Sequence, residues 1–154
     1  MCIRFSVLFA TLALLGACNS SPQPQEETTH FVYQHTRETI WNQTRSELGE
    51  RWRIADEDEI AMTFTTDWDT HLHVMNTFGK RHRLTVTLAG TDEEGYQVTA
   101  SQETEQNTNQ DNPLVASEAE WDSAPSNGAL AQRFLMNLHL RMNPGTPWRE
   151  DADR

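Results

Sequence analysis

Two segments of the chain carry apolar residues at the three- and four-residue spacing of an amphipathic helix. The first covers residues 37–48, where Thr36 is placed to cap the N-terminus and Gly49 to end the helix in the left-handed conformation. The second covers residues 127–142 and precedes Asn143-Pro144-Gly145, a helix-terminating sequence. The faces expected to be buried are Ile40, Trp41, Thr44 and Leu48 in the first helix, and Leu130, Phe134, Leu135, Leu138 and Met142 in the second.

Between these segments apolar and polar residues alternate, which is typical of strands with one buried face. The acidic run at residues 56–59 separates two alternating stretches and predicts a hairpin. A turn at residues 92–95 separates two more. Residues 102–117 are mostly polar and predict a long loop. The apolar positions of the four predicted strands are Trp52 and Ile54, then Ile60, Met62 and Phe64, then Leu84, Val86 and Leu88, and finally Tyr96, Val98 and Ala100.

The order helix, four strands, helix predicts an α+β domain with two layers. One layer is an antiparallel four-stranded meander, and the two helices flank and cover it. The face of the sheet away from the helices is expected to be open to solvent. We assign this single domain to residues 30–146. Residues 147–154 are expected to form a polar C-terminal tail in which Trp148 is exposed.

The N-terminus has the pattern of an export signal. Arg4 is followed by an apolar stretch over residues 5–15, which is too short to span a bilayer comfortably. The run Leu15-Gly16-Ala17-Cys18 resembles the bacterial lipobox, and an ordinary secretory signal with a chance cysteine is the alternative. The resemblance implies removal of a signal peptide of residues 1–17, a diacylglyceryl thioether on Cys18, and acylation of the new amino terminus, with palmitate as the expected acyl group.

The lipid attachment site at Cys18 also limits the chemistry of the domain. Cys2 lies in the signal, so no thiol remains downstream for nucleophilic, redox or zinc chemistry. Residues 18–29 are polar and are expected to form a flexible tether. Because Asn19 rather than aspartate follows the cysteine, we expect anchoring in the outer membrane, facing the periplasm, with the inner membrane less favoured. A net charge of −11 and scattered basic residues argue against a nucleic-acid partner.

Four ordered features suggest a family. They are Trp41 in the first helix, Thr65-Thr66-Asp67-Trp68 at the end of a strand, a basic-flanked strand at 81–88, and Trp121 before the last helix. Together with the lipobox, they make residues 30–144 resemble the helix-grip domains of BamC-like outer-membrane lipoproteins. The resemblance implies a helix-grip-like fold. Larger members carry two such domains after a long N-terminal segment, so a role in β-barrel assembly is not carried over to this chain.

The clearest chemical pattern is Asp67, Asp69, His71 and His73, four metal-ligand types at every second position. On a flat strand they could not all reach one ion, and a solvated strand end is the alternative. No nucleophile elbow, phosphate loop or dinucleotide fingerprint is present in the sequence. We therefore expect no enzyme and no cofactor.

Three functions remain open. The first is a membrane-anchored envelope lipoprotein that acts as a non-enzymatic scaffold or accessory subunit for an envelope protein partner. The second is a carrier of a lipid or other hydrophobic ligand, which requires an enclosed apolar pocket under the second helix. The third is weak metal binding through Asp67, Asp69, His71 and His73. Of the five tryptophans, Trp41, Trp52 and Trp68 are expected mainly in the core, although some could line a ligand groove.

Overall fold

The computed structural model describes residues 25–28 (backbone only), 32–72, 79–146 and 148. The predicted signal peptide, Cys18, His73 and most of the predicted tail lie outside these residues. The helices and strands, in chain order, are β1 (Gln25–Thr28), α1 (Arg37–Gly49), β2 (Ile54–Asp58), β3 (Thr63–Thr66), β4 (Asp69–His71), β5 (Lys80–Thr91), β6 (Gly95–Asn107), β7 (Trp121–Ser123) and α2 (Ala129–Met142), with a 3₁₀ turn at Ala116–Glu118 before β7.

The strands form one antiparallel sheet in the order β1-β6-β5-β3-β2, with β4 also pairing with β5 and β7 with β6. The predicted α+β class is confirmed, but four strands were too few. The three additional strands, β1, β4 and β7, are short and polar, so no apolar alternation indicated them. The expectation that the whole of 18–29 lacks regular structure is wrong at β1, whose backbone pairs with β6.

Within the described residues, no helix is long and apolar enough to cross a membrane.

The core lies between the helices and one face of the sheet. Leu84, Val86 and Val98 are fully buried on that face, as the alternation predicted. The rings of Trp41 and Phe64 stack with their centroids 3.9 Å apart. These contacts join α1 to the centre of the sheet.

Ile60 and Trp148 differ from their predicted exposure. Ile60 is 94% exposed because the β2–β3 turn begins at Glu59, so Ile60 belongs to the turn and not to a strand. Met62 closes this turn with a φ of 56°. Trp148, expected to be exposed, packs against the core, with its ring centroid 5.6 Å from that of the buried His139.

The helix ends are set partly by other parts of the chain. Thr36 caps α1 as predicted, since its hydroxyl accepts the backbone N–H of Thr39 at 3.3 Å. Gly49 does not end α1 in the left-handed conformation: it is still helical and Glu50 follows in the right-handed region. At the start of α2, Gly128 adopts a φ of 66° and the helix begins at Ala129, two residues later than predicted.

A buried ion pair joins the two helices. Glu47 is 3% exposed, although its charge suggested the outer face of α1. Its Oε2 lies 3.1 Å from Nε of Arg141 on α2. Arg141 also donates to Ser46 at 2.8 Å and pairs with Glu50. The hydrogen bond to Glu50 is the main cause that raises the pKa of Arg141, and this guanidinium therefore stays charged at the α1–α2 contact.

Candidate functional site

The sheet face opposite the helices, which we call the open face, is polar and regular. Side chains alternate between the two faces of a strand, so the residues between the buried apolar positions point away from the helices. Thr63 lies opposite Thr87, and Thr65 opposite Thr85. Three neighbouring strands each place two hydroxyl-bearing residues here: Thr63 and Thr65 on β3, Thr85 and Thr87 on β5, and Thr99 and Ser101 on β6.

Two charge-balanced rungs continue this face along β5 and β6. Arg81 lies directly opposite Glu105, and Arg83 directly opposite Glu103. Nε of Arg81 donates to Oε2 of Glu105 at 2.6 Å. Both Nε and Nη2 of Arg83 donate to Oε2 of Glu103, at 3.0 and 2.7 Å. All four side chains are only partly exposed, which holds the guanidinium planes in fixed positions.

Two tryptophans stack on these guanidinium groups. The Cζ of Arg81 lies 4.5 Å from the ring centroid of Trp68 and 4.6 Å from that of Trp121. The Cζ of Arg83 lies 4.7 Å from Trp68. The contacts therefore run without interruption through Trp121, Arg81, Trp68 and Arg83. We call these four residues the Trp–Arg ladder; each contact is within cation–π range.

Sequence reasoning found part of this ladder. Trp68 and Trp121 were singled out, but Trp68 was expected in the core, and it is half-buried on the open face. Glu103 and Glu105 were missed because residues 102–117 were predicted to form a loop. That prediction is wrong over most of its first half, since β6 continues to Asn107. A signal was available: Gln102 and Thr104 alternate with the two glutamates, and both are buried.

The predicted metal-ligand series does not converge within the described residues. Asp67 precedes β4 and pairs with Arg53. Asp69 and His71 lie on β4, with Oδ2 of Asp69 at 3.1 Å from Nε2 of His71. No group of three or more potential metal-binding side chains is found in the described part of the chain.

Asp69 and His71 instead contribute to a groove of about 520 Å³ on the helix side of the sheet, before the first turn of α2. Two cross-strand rows form its polar part. In one row Lys80 lies opposite both His71 and Gln106, and in the other His82 lies opposite both Asp69 and Thr104. We call this cavity the α2 groove. The residues lining it are Asp69, His71, Lys80, His82, Gln102, Thr104, Pro125, Asn127, Ala129 and Leu130.

Gln102 organises the interior end of the α2 groove. Its Oε1 accepts the backbone N–H of Leu130 at 2.9 Å, and its Nε2 donates to the hydroxyl of Thr104 at 3.2 Å. The same hydroxyl lies 3.0 Å from Nδ1 of His82. Burial lowers the pKa of His82, and the charge of Asp69 acts in the opposite direction. Neither Gln102 nor His82 was identified from the sequence.

Comparison with models of known families finds no match, and comparison with curated proteins finds no similar chain. The lipobox and the resemblance to BamC-like domains therefore remain predictions from the sequence.

Proposed function

We propose that this chain is a lipid-anchored envelope protein whose domain binds an envelope protein partner through the open face. It acts as a non-enzymatic scaffold or accessory subunit. Cys18 is the lipid attachment site and the outer membrane the location, with the domain facing the periplasm. The observation that carries the binding proposal is the Trp–Arg ladder.

The ladder has the composition of a protein-binding hot spot. Tryptophan and arginine are the residue types most enriched at such positions. Trp68 and Arg81 are held in place before any partner binds, because Arg81 contacts both tryptophans and pairs with Glu105. Little side-chain entropy is then lost on association. The polar rows of Thr and Ser beside the ladder supply the hydrogen-bonding rim that interfaces commonly have.

The carrier alternative receives no support from the packing. Trp41, Phe64, Leu84 and Phe134 fill the space between helices and sheet, and none is more than 9% exposed. Metal binding likewise has no supporting geometry among the described residues, where Asp67 is paired with Arg53.

Lipid anchoring and partner binding are tested separately. For anchoring, the full chain and its Cys18→Ser variant are expressed in a Gram-negative host, and membrane and soluble fractions are compared. We expect the native chain in the membrane fraction with an acylated N-terminus by mass spectrometry, and the variant unacylated. An unacylated native protein would contradict the anchoring proposal.

Partner binding is tested by crosslinking in intact cells followed by purification of the full chain. Thr87→Arg places a bulky cation on the open face, and Asn42→Arg makes the same charge change at an exposed position of α1. We expect the native chain and Asn42→Arg to recover the same envelope protein, and Thr87→Arg to recover at least tenfold less. Equal recovery by both variants would remove the open face as the binding surface.

A further inference from the structure

The α2 groove holds the only lysine of the chain. Six of the described arginines form ion pairs with carboxylates within 4 Å: Arg45, Arg51, Arg53, Arg81, Arg83 and Arg141. Lys80 has no such ion pair among the described residues. What distinguishes Lys80 is its position, because it places a positive charge in the lining of a cavity in a protein with a net charge of −11.

Two imidazoles lie beside Lys80 in the same groove. His71 is its direct neighbour across β4, and His82 is two residues along β5, on the same face. Side chains at such positions lie within about 5–7 Å of one another. Asp69 is the single carboxylate among the lining residues and already contacts His71 at 3.1 Å. Lys80 therefore supplies the fixed positive charge of the groove, and the two imidazoles place further polar ring nitrogens beside it.

Two backbone N–H groups at the start of α2 already have acceptors within the protein. The N–H of Leu130 is donated to Gln102 at 2.9 Å, and that of Ala129 to Asn127 at 3.2 Å. An anion would therefore contact the side chains of the two cross-strand rows. Pro125, Ala129 and Leu130 supply an apolar wall.

The size of the groove indicates a ligand larger than a bare ion. About 520 Å³ lies within the range of cavities that hold small organic ligands. The side chains of the polar rows can bind an oxyanion, and the apolar wall can contact a short carbon chain. We propose that the α2 groove binds a small organic phosphate, with Lys80 and His82 contacting the phosphate oxygens. This site lies on the helix side of the sheet and is independent of partner binding at the open face.

The probe is sn-glycerol 3-phosphate, titrated calorimetrically into the full chain in neutral detergent at pH 6.5. Glycerol alone is the uncharged control. We expect glycerol 3-phosphate to bind and glycerol to give only heat of dilution. Binding should also shift the imidazole NMR signals of His82, because a phosphate beside the ring favours its protonated form.

Lys80→Gln should weaken binding at least tenfold. Arg133→Gln removes a cation from an exposed position of α2 outside the groove and should leave affinity unchanged.

Soluble dihexanoyl phosphatidylglycerol distinguishes the source of the phosphate. Tighter binding of this lipid would assign the natural ligand to lipid headgroups, and tighter binding of glycerol 3-phosphate to a free ester. Absence of binding by both phosphates, equal binding of glycerol, or equal losses in Lys80→Gln and Arg133→Gln would overturn the proposal.

Discussion

The two faces of the sheet are built from alternate residues of the same strands, yet different interactions stabilise them. The helix-covered face is apolar: Val86 and Val98 are fully buried, and Phe134 packs above the sheet from α2. The open face consists of hydroxyl groups, paired charges and the Trp–Arg ladder. Burial of apolar area dominates stability, so the first face should control folding. The second should be tolerant to change and available for binding.

Truncation of the core should give the largest effect. Phe134 is fully buried, and its ring lies 6.4 Å from that of Trp52, edge to face. Phe134→Ala should lower the free energy of unfolding by about 3–5 kcal/mol, because it removes buried area and leaves a cavity. Urea denaturation measures this. Ile60→Ala, at a 94% exposed position, is the matched truncation and should change stability by less than about 0.5 kcal/mol. Similar losses in both variants would contradict the assignment of the core.

The ion pair between the helices should rank second. Glu47→Gln removes the carboxylate that contacts Arg141 in a buried setting, and should cost about 2 kcal/mol. Glu50→Gln alters the more exposed partner of the same guanidinium and should cost less than about 1 kcal/mol. Thermal and urea unfolding of the two variants give the comparison. A larger loss in Glu50→Gln would show that the buried contact is not the one that fixes α1 against α2.

The ladder should affect binding more than stability. Trp68→Ala loses two cation–π contacts at a partly exposed site and should cost about 1–2 kcal/mol of stability. In the crosslinking assay, the same variant should recover far less partner. Trp148→Ala removes a tryptophan from the helix side and should leave recovery unchanged. If Trp68→Ala unfolds the domain, the ladder is a structural element, and its assignment to binding is wrong.

Lowering the pH should reduce the free energy of unfolding through two histidines on the helix-covered side. This is the smallest of the four predicted effects. Burial lowers the pKa of both His82 and His139. The folded state therefore binds fewer protons than the unfolded state, and the free energy of unfolding should fall as the pH drops below 6.5 toward the lower folded-state pKa values. Urea denaturation between pH 8 and 5 measures this slope. His82→Gln should reduce it, and an unchanged slope would contradict burial of a neutral imidazole.

The sequence predicted the parts of the fold that rest on apolar periodicity. Ile40 and Leu48 on α1, and Leu84 and Val98 in the sheet, are buried as expected. Prediction from the sequence failed where polar side chains are buried through contacts with residues far along the chain. Gln102 is buried because it bonds the start of α2, a contact 28 residues along the chain that no local pattern reveals.

The candidate site follows the same division. Trp68 and Trp121 were named from the sequence as features of the family resemblance, but their contact through Arg81 depends on the pairing of β4 and β7 to the central strands. Those strands are three residues long and have no apolar–polar alternation from which they could be predicted. The α2 groove was likewise hidden, because Lys80 and His82 acquire their surroundings only when β4 and β6 pair on either side of β5.

Site-specific photo-crosslinking tests the central claim most directly. A photoreactive residue is placed in the full chain at Thr87 on the open face or at Arg133 on the exposed side of α2, and cells are irradiated. The account predicts a discrete adduct with one envelope protein from position 87, lost when Trp68→Ala is added, and no such adduct from position 133. The same adduct from both positions, or an adduct from position 133 alone, would contradict a binding role for the open face.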